Sequence, residues 1–77
     1  MTDTAEKLMG LFNRHGKAEA GKVVPFAELS YHANEWGPQH AAGLEAAMKE
    51  LRDEGYVIIT VPHGLELTEK GFSYLYG

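Results

Sequence analysis

Seven residues spell the opening of a phosphate-binding loop. Gly16-Lys17-Ala18-Glu19-Ala20-Gly21-Lys22 fits G-x-x-x-x-G-K, in which backbone N–H groups cradle phosphates and the lysine neutralises them. The motif needs Ser or Thr next, to hold magnesium, and the chain has Val23. It also needs a strand before and a helix after, whereas here a helical pattern precedes and a Val-Val strand follows. The segment therefore reads as a solvated linker. The four histidines, His15, His32, His40 and His63, fall on separate elements. With no cysteine and no short ligand spacing, they do not outline a metal site. No nucleophile–base pair or pair of acids stands at a meaningful spacing, so neither catalysis, nor a cofactor, nor a bound metal is expected.

Charge bounds what remains. Eleven carboxylates stand against seven Lys and Arg, a net of −4. Proteins that bind nucleic acid usually carry a basic surplus, because neutralising phosphates supplies most of their affinity. This chain lacks that surplus overall, although a local basic patch can operate on an acidic protein. The absence of cysteine removes any disulfide framework. No apolar run approaches the ~20 residues of a membrane span, and the start, M-T-D-T-A-E-K, is acidic and polar, unlike a secretory signal. A cytoplasmic protein without membrane contact is the expectation. Seventy-seven residues make one domain, 1–77, near the size at which a single core is marginal.

The elements that must position any site follow from periodicity. Leu8, Leu11, Phe12 and His15 recur at helical spacing behind Asp3 and Glu6, which stand at capping-box spacing, so a first helix is predicted over about 4–15. A short strand is predicted at 22–24, able to pair with a later hairpin. Pro25 then permits a helix downstream, about 26–34, burying Phe26, Leu29 and Ala33. Asn34 to Gly37 is read as the following turn, with Trp36 as a half-buried lid over it. Pro38 opens a long amphipathic helix, 38–54, with Ala41, Leu44, Met48 and Leu51 on one face and Gly55 as its left-handed stop.

Directly after that stop comes Tyr56-Val57-Ile58-Ile59-Thr60-Val61, β-branched and aromatic throughout, predicted as strand 56–61. Pro62-His63-Gly64 fits a three-residue hairpin with Gly64 in the left-handed position, and Leu65–Leu67 alternates as the return strand. Thr68 can cap a last helix, 69–76, through its hydroxyl. Phe72, Tyr74, Leu75 and Tyr76 exceed what so short a helix can bury. A homodimer contact at Tyr74, Leu75 and Tyr76 is therefore expected.

This α+β order, with L-x-x-L-R-D-E-G-Y-V broken as Met48 to Val57 and L-x-L-T-E-K-G over Leu65 to Gly71, resembles the winged helix-turn-helix superfamily of small bacterial, archaeal and phage regulators. The resemblance covers about Thr4 to Tyr76. It implies a three-helix core, a short first strand, a two-stranded wing hairpin and a short C-terminal helix. It also implies that helix 38–54 enters the major groove of duplex DNA as part of a transcriptional regulator. Gln39, His40, Gly43 and Lys49 would then face the bases, Gln39 being able to contact adenine in bidentate fashion. Arg14, Lys17 and Lys22 would neutralise phosphates, and His63 would form the wing tip.

The chain departs from that pattern in two places. The Pro62-His63-Gly64 tip offers no Arg or Lys, and the reading helix carries Glu45, Glu50 and Asp53. Lys49 and Arg52 can instead pair with those acids as ordinary surface charges. The competing expectation is an acidic winged helix that binds a protein partner without DNA.

Overall fold

The computed structural model describes residues 1–14, 16 and 18–76. His15 and Lys17, one in the expected first helix and the other in the expected phosphate-facing set, lie outside the described residues. The described chain is α+β, five α-helices with a three-stranded antiparallel sheet.

Helix α1 spans Asp3–Gly10 and continues as a 3-10 turn, Leu11–Asn13. Its cap is Thr2, not the expected Asp3: the Thr2 hydroxyl accepts from the Ala5 N–H at 3.2 Å and donates to Glu50 at 2.8 Å. The cap thus also fastens the N-terminus to a helix 48 residues away. Leu8, Met9 and Phe12 are buried, as the spacing predicts.

Strand β1, Val23–Pro25, leads directly into α2, Phe26–Trp36. Helix α2 runs two residues past its expected end, so its link to the next helix shrinks to Gly37, whose φ of 125° is one that L side chains rarely adopt.

The expected single helix over 38–54 is two helices, α3 at Pro38–Ala42 and α4 at Leu44–Asp53. Gly43 sits between them at φ −91°, ψ 2°, outside helical geometry. On either side of the break His40 turns inward against Thr4, and α4 lays Ala47 and Leu51 into the core. Of the face expected to be buried, Leu51 is fully covered, while Ala41, Leu44 and Met48 are half-buried. Helix α4 stops as its sequence demands. Gly55 takes φ 81°, its N–H reaches the Arg52 carbonyl at 2.9 Å and the Tyr56 N–H reaches Leu51 at 3.0 Å, a complete Schellman motif.

Strands β2, Val57–Thr60, and β3, Gly64–Leu67, form a hairpin, and β1 adds to the far side of β3, giving the order β1-β3-β2. Val24, Leu65 and Ile59 align across one face, with Leu67 and Val57 beside them, and this face closes the core under Phe12, Leu29 and Leu51. Val23, Glu66 and Ile58 align on the opposite face. The turn differs from the expected one. Gly64 belongs to β3, paired with Thr60 and Pro25, and the connection is Val61-Pro62-His63 with a cis Val61–Pro62 peptide. Glycine is required at 64 for space, since a Cβ would overlap the Val24 carbonyl oxygen.

Helix α5, Glu69–Tyr76, is capped by Thr68, whose hydroxyl accepts from the Gly71 N–H at 3.0 Å and donates to the Gly55 carbonyl at 2.7 Å. Gly71 is buried because a Cβ there would meet the Tyr56 carbonyl oxygen and the Leu67 side chain. Its bareness lets α5 lie directly on the start of the hairpin. No helix among the described residues is long and apolar enough to cross a membrane.

Candidate functional site

The residues expected to meet a groove are divided by burial. Gln39 is exposed on the first turn of α3. His40, its neighbour, is turned inward at 7% exposure, with Nδ1 2.8 Å from the Thr4 hydroxyl and its ring edge-on to Trp36 at 6.0 Å. A histidine held this way joins α3 to α1 and presents no face to a base. Gly43 is half-buried at the α3–α4 junction, 3.8 Å from Thr4 Oγ1 as measured from the Cβ it lacks. Trp36 is half-buried, as expected, stacked on His32 at 6.3 Å with the Lys7 ammonium 5.5 Å from its ring centre.

The cations are engaged. Lys49 Nζ lies 3.1 Å from Glu45 one turn back on α4, and Arg52 reaches Asp53 at 3.1 Å. Both pairs are exposed, so each is worth well under about 1 kcal/mol and gives way to a better ligand. What does not give way is the sum. From Pro38 to Glu54 the carboxylates Glu45, Glu50, Asp53 and Glu54 oppose Lys49 and Arg52, four against two, a net of −2. Lys22 is drawn back to its own fold, donating to the Phe12 carbonyl at 3.0 Å. Arg14 is exposed beyond the 3-10 turn, and His63 is exposed on the hairpin turn. Lys17 lies outside the described residues.

The phosphate-loop match at Gly16–Lys22 leads into strand β1 and not into a helix, so it lacks the helix N-terminus that phosphate binding uses. A shallow hollow of about 460 Å³ lies beside it, lined by Ala18, Glu19, Ala20, Glu69, Phe72 and Ser73. Its two carboxylates repel an anion, and no histidine lines it. Among the described residues, no cluster of three His, Asp or Glu is placed to hold a metal ion.

The C-terminal aromatics are partly spent inside the fold. Tyr74 packs on Tyr56 with ring centres 4.7 Å apart, and Leu75 packs against the core. The Tyr76 hydroxyl donates to Asn13 Oδ1 and accepts from the Ala18 N–H at 3.0 Å. Tyr74 and Tyr76 remain 43% and 45% exposed.

More apolar surface lies elsewhere, unanticipated: Val61 is 81% exposed, Tyr31 61% and Ile58 50%. The signal for Ile58 and Val61 was present in the uncharged run Tyr56–Val61, which a buried strand needs and an edge strand does not. Tyr31 carried no such signal, since α2 has apolar residues on two sides. No family model, curated protein or solved structure matches the chain.

Proposed function

We propose that this chain is a winged-helix domain that docks a protein partner, with a basic surface, on the outward side of α3 and α4. The order of its elements supports the fold reading. A helix, a strand and two further helical segments precede a hairpin whose return strand pairs with the first strand, β1-β3-β2. The observation that carries the choice of partner is electrostatic. The segment Pro38–Glu54 as a whole has a net charge of −2, its histidine is buried, and Lys49 is matched by Glu45. Bringing that segment against a phosphate backbone adds no net positive charge, whereas a basic protein surface meets it with a complementary one.

Gln39, Glu45, Ala46 and Lys49 are the exposed residues that would form the contact. A photo-crosslinking residue in place of Ala46, used in the native cell, is expected to capture a protein, and Glu45→Lys is expected to abolish the adduct. Titration with a random-sequence duplex at about 50 mM salt is expected to give no binding. Duplex affinity that falls steeply as salt rises would overturn the reading. It would restore the regulator that the topology alone favours, with Gln39 at the bases.

A further inference from the structure

The sheet turns one face to the core and the other to solvent. Val24, Val57, Leu65 and Leu67 are buried, so by the alternation of a strand the residues beside them point the other way. On that outer face Val23, Glu66 and Ile58 stand in one row across the three strands. Tyr56, two residues before Ile58, points to the same side. Its ring lies 4.7 Å from that of Tyr74 on α5, with the Lys70 ammonium 5.5 Å from its centre.

A solvated face of an antiparallel sheet normally alternates to polar residues. Here Val23 is 38% exposed and Ile58 50%, and with Tyr56 and the exposed Tyr74 they make an apolar strip that runs from the sheet onto α5. The strip carries opposite charges at its two ends, Glu66 beside Ile58 and Lys70 over Tyr56. Neither charge forms an ion pair among the described residues.

We propose that this strip packs face to face on the same strip of a second copy of the chain, about a two-fold axis lying across β2 at Val57. Such an axis reverses the strip, so Ile58 of each copy meets Tyr56 and Tyr74 of the other. It also sets Glu66 of each copy opposite Lys70 of the other. The charges select the occupant: an apolar strip with a carboxylate at one end and an ammonium at the other is complementary to itself. Of the three residues expected at a homodimer contact, Tyr74 alone takes part. Leu75 packs inward, and the Tyr76 hydroxyl is held by Asn13 and Ala18. The contact uses neither α3 nor α4 and stands independently of the partner assigned to them.

Sedimentation velocity on the full chain, from low micromolar to millimolar concentration, tests this. The wild-type chain is expected to pass from monomer to dimer. Glu66→Lys sets lysine against lysine at both ends of the contact, and Lys70→Glu sets carboxylate against carboxylate. Each should weaken association about tenfold or more. An equimolar mixture of the two variants should associate as tightly as the wild type, because every facing pair is again of opposite sign. Both variants stay net negative, at −2 and −6, so overall charge does not draw them together. Glu45→Lys, on α4, changes the net charge as Glu66→Lys does and should leave association unchanged. NMR of the wild-type chain gives a readout without variants: shifts that move with concentration should centre on Ile58, Glu66 and Tyr74. A wild-type chain that stays monomeric throughout overturns the proposal. So does a mixture that associates no better than its components, equal loss of dimer in Glu45→Lys, or shifts confined to α3 and α4.

Discussion

At the scale of single residues, neighbours in sequence carry opposite duties. Gln39 and His40 stand side by side on the first turn of α3, yet one is exposed and the other is 7% exposed against Thr4 and Trp36. Removing the imidazole by His40→Ala leaves a half-buried hydroxyl without its partner, so the loss should be about 1–3 kcal/mol. Gln39→Ala should stay within about 0.5 kcal/mol of the wild type. Urea unfolding separates the two: His40→Ala lowers the midpoint at unchanged slope and Gln39→Ala leaves it in place.

Gly71 is held by a different constraint, since any Cβ there meets the Tyr56 carbonyl. Gly71→Ala should cost about 1–3 kcal/mol by overpacking, although alanine is the better helix former. A midpoint that rises in this variant would mean that α5 does not sit so close to the hairpin.

At the scale of elements, what could be read beforehand was whatever one segment decides alone. Gly55 after Leu51-Arg52-Asp53-Glu54 stops a helix by local geometry, and Thr68 caps the next by reaching three residues forward; both act as the sequence predicts. Runs of β-branched residues made β2, and alternation made β3. What failed was decided at long range. The helix breaks at Gly43, where the chain passes beside Thr4 at the start of α1, and periodicity holds no record of that approach. Thr2 displaced Asp3 as the cap because Glu50 was there to fix its hydroxyl. Gly64 left the turn for the strand because β1 passes too close for any side chain.

The site was the least legible part, since the resemblance assigned His40 a role that its burial removes. Among the elements, α5 depends most on one group, the Thr68 hydroxyl, which bonds both Gly71 and Gly55. Thr68→Ala should cost about 1–2 kcal/mol, with Thr68→Ser recovering most of it. The loss should appear in amide exchange across α5 before it appears in α1.

At the scale of the whole molecule, shape and charge point to different partners, and the two can be separated experimentally. The element order and the exposed α3–α4 side suit a groove, while four carboxylates against two cations over Pro38–Glu54 do not. If charge alone withholds DNA, reversing it should admit DNA without any change of fold. Glu45→Lys combined with Asp53→Lys turns the segment from −2 to +2, because each replacement adds two charges. It also releases Lys49 and Arg52 from their present partners. Both replaced side chains are exposed, so stability should change by less than about 1 kcal/mol.

The double variant should acquire weak duplex affinity with a logarithmic salt slope of about −2 to −4, as expected when two to four phosphates are neutralised. The wild-type chain should show none under the same conditions. Fluorescence anisotropy of a labelled duplex, read at several salt concentrations, measures both. Failure of the variant to bind, with its circular dichroism unchanged, would show that the α3–α4 side has the wrong shape for a groove. The break at Gly43 would then be the first feature to blame, because it divides the surface a groove must receive as one rod.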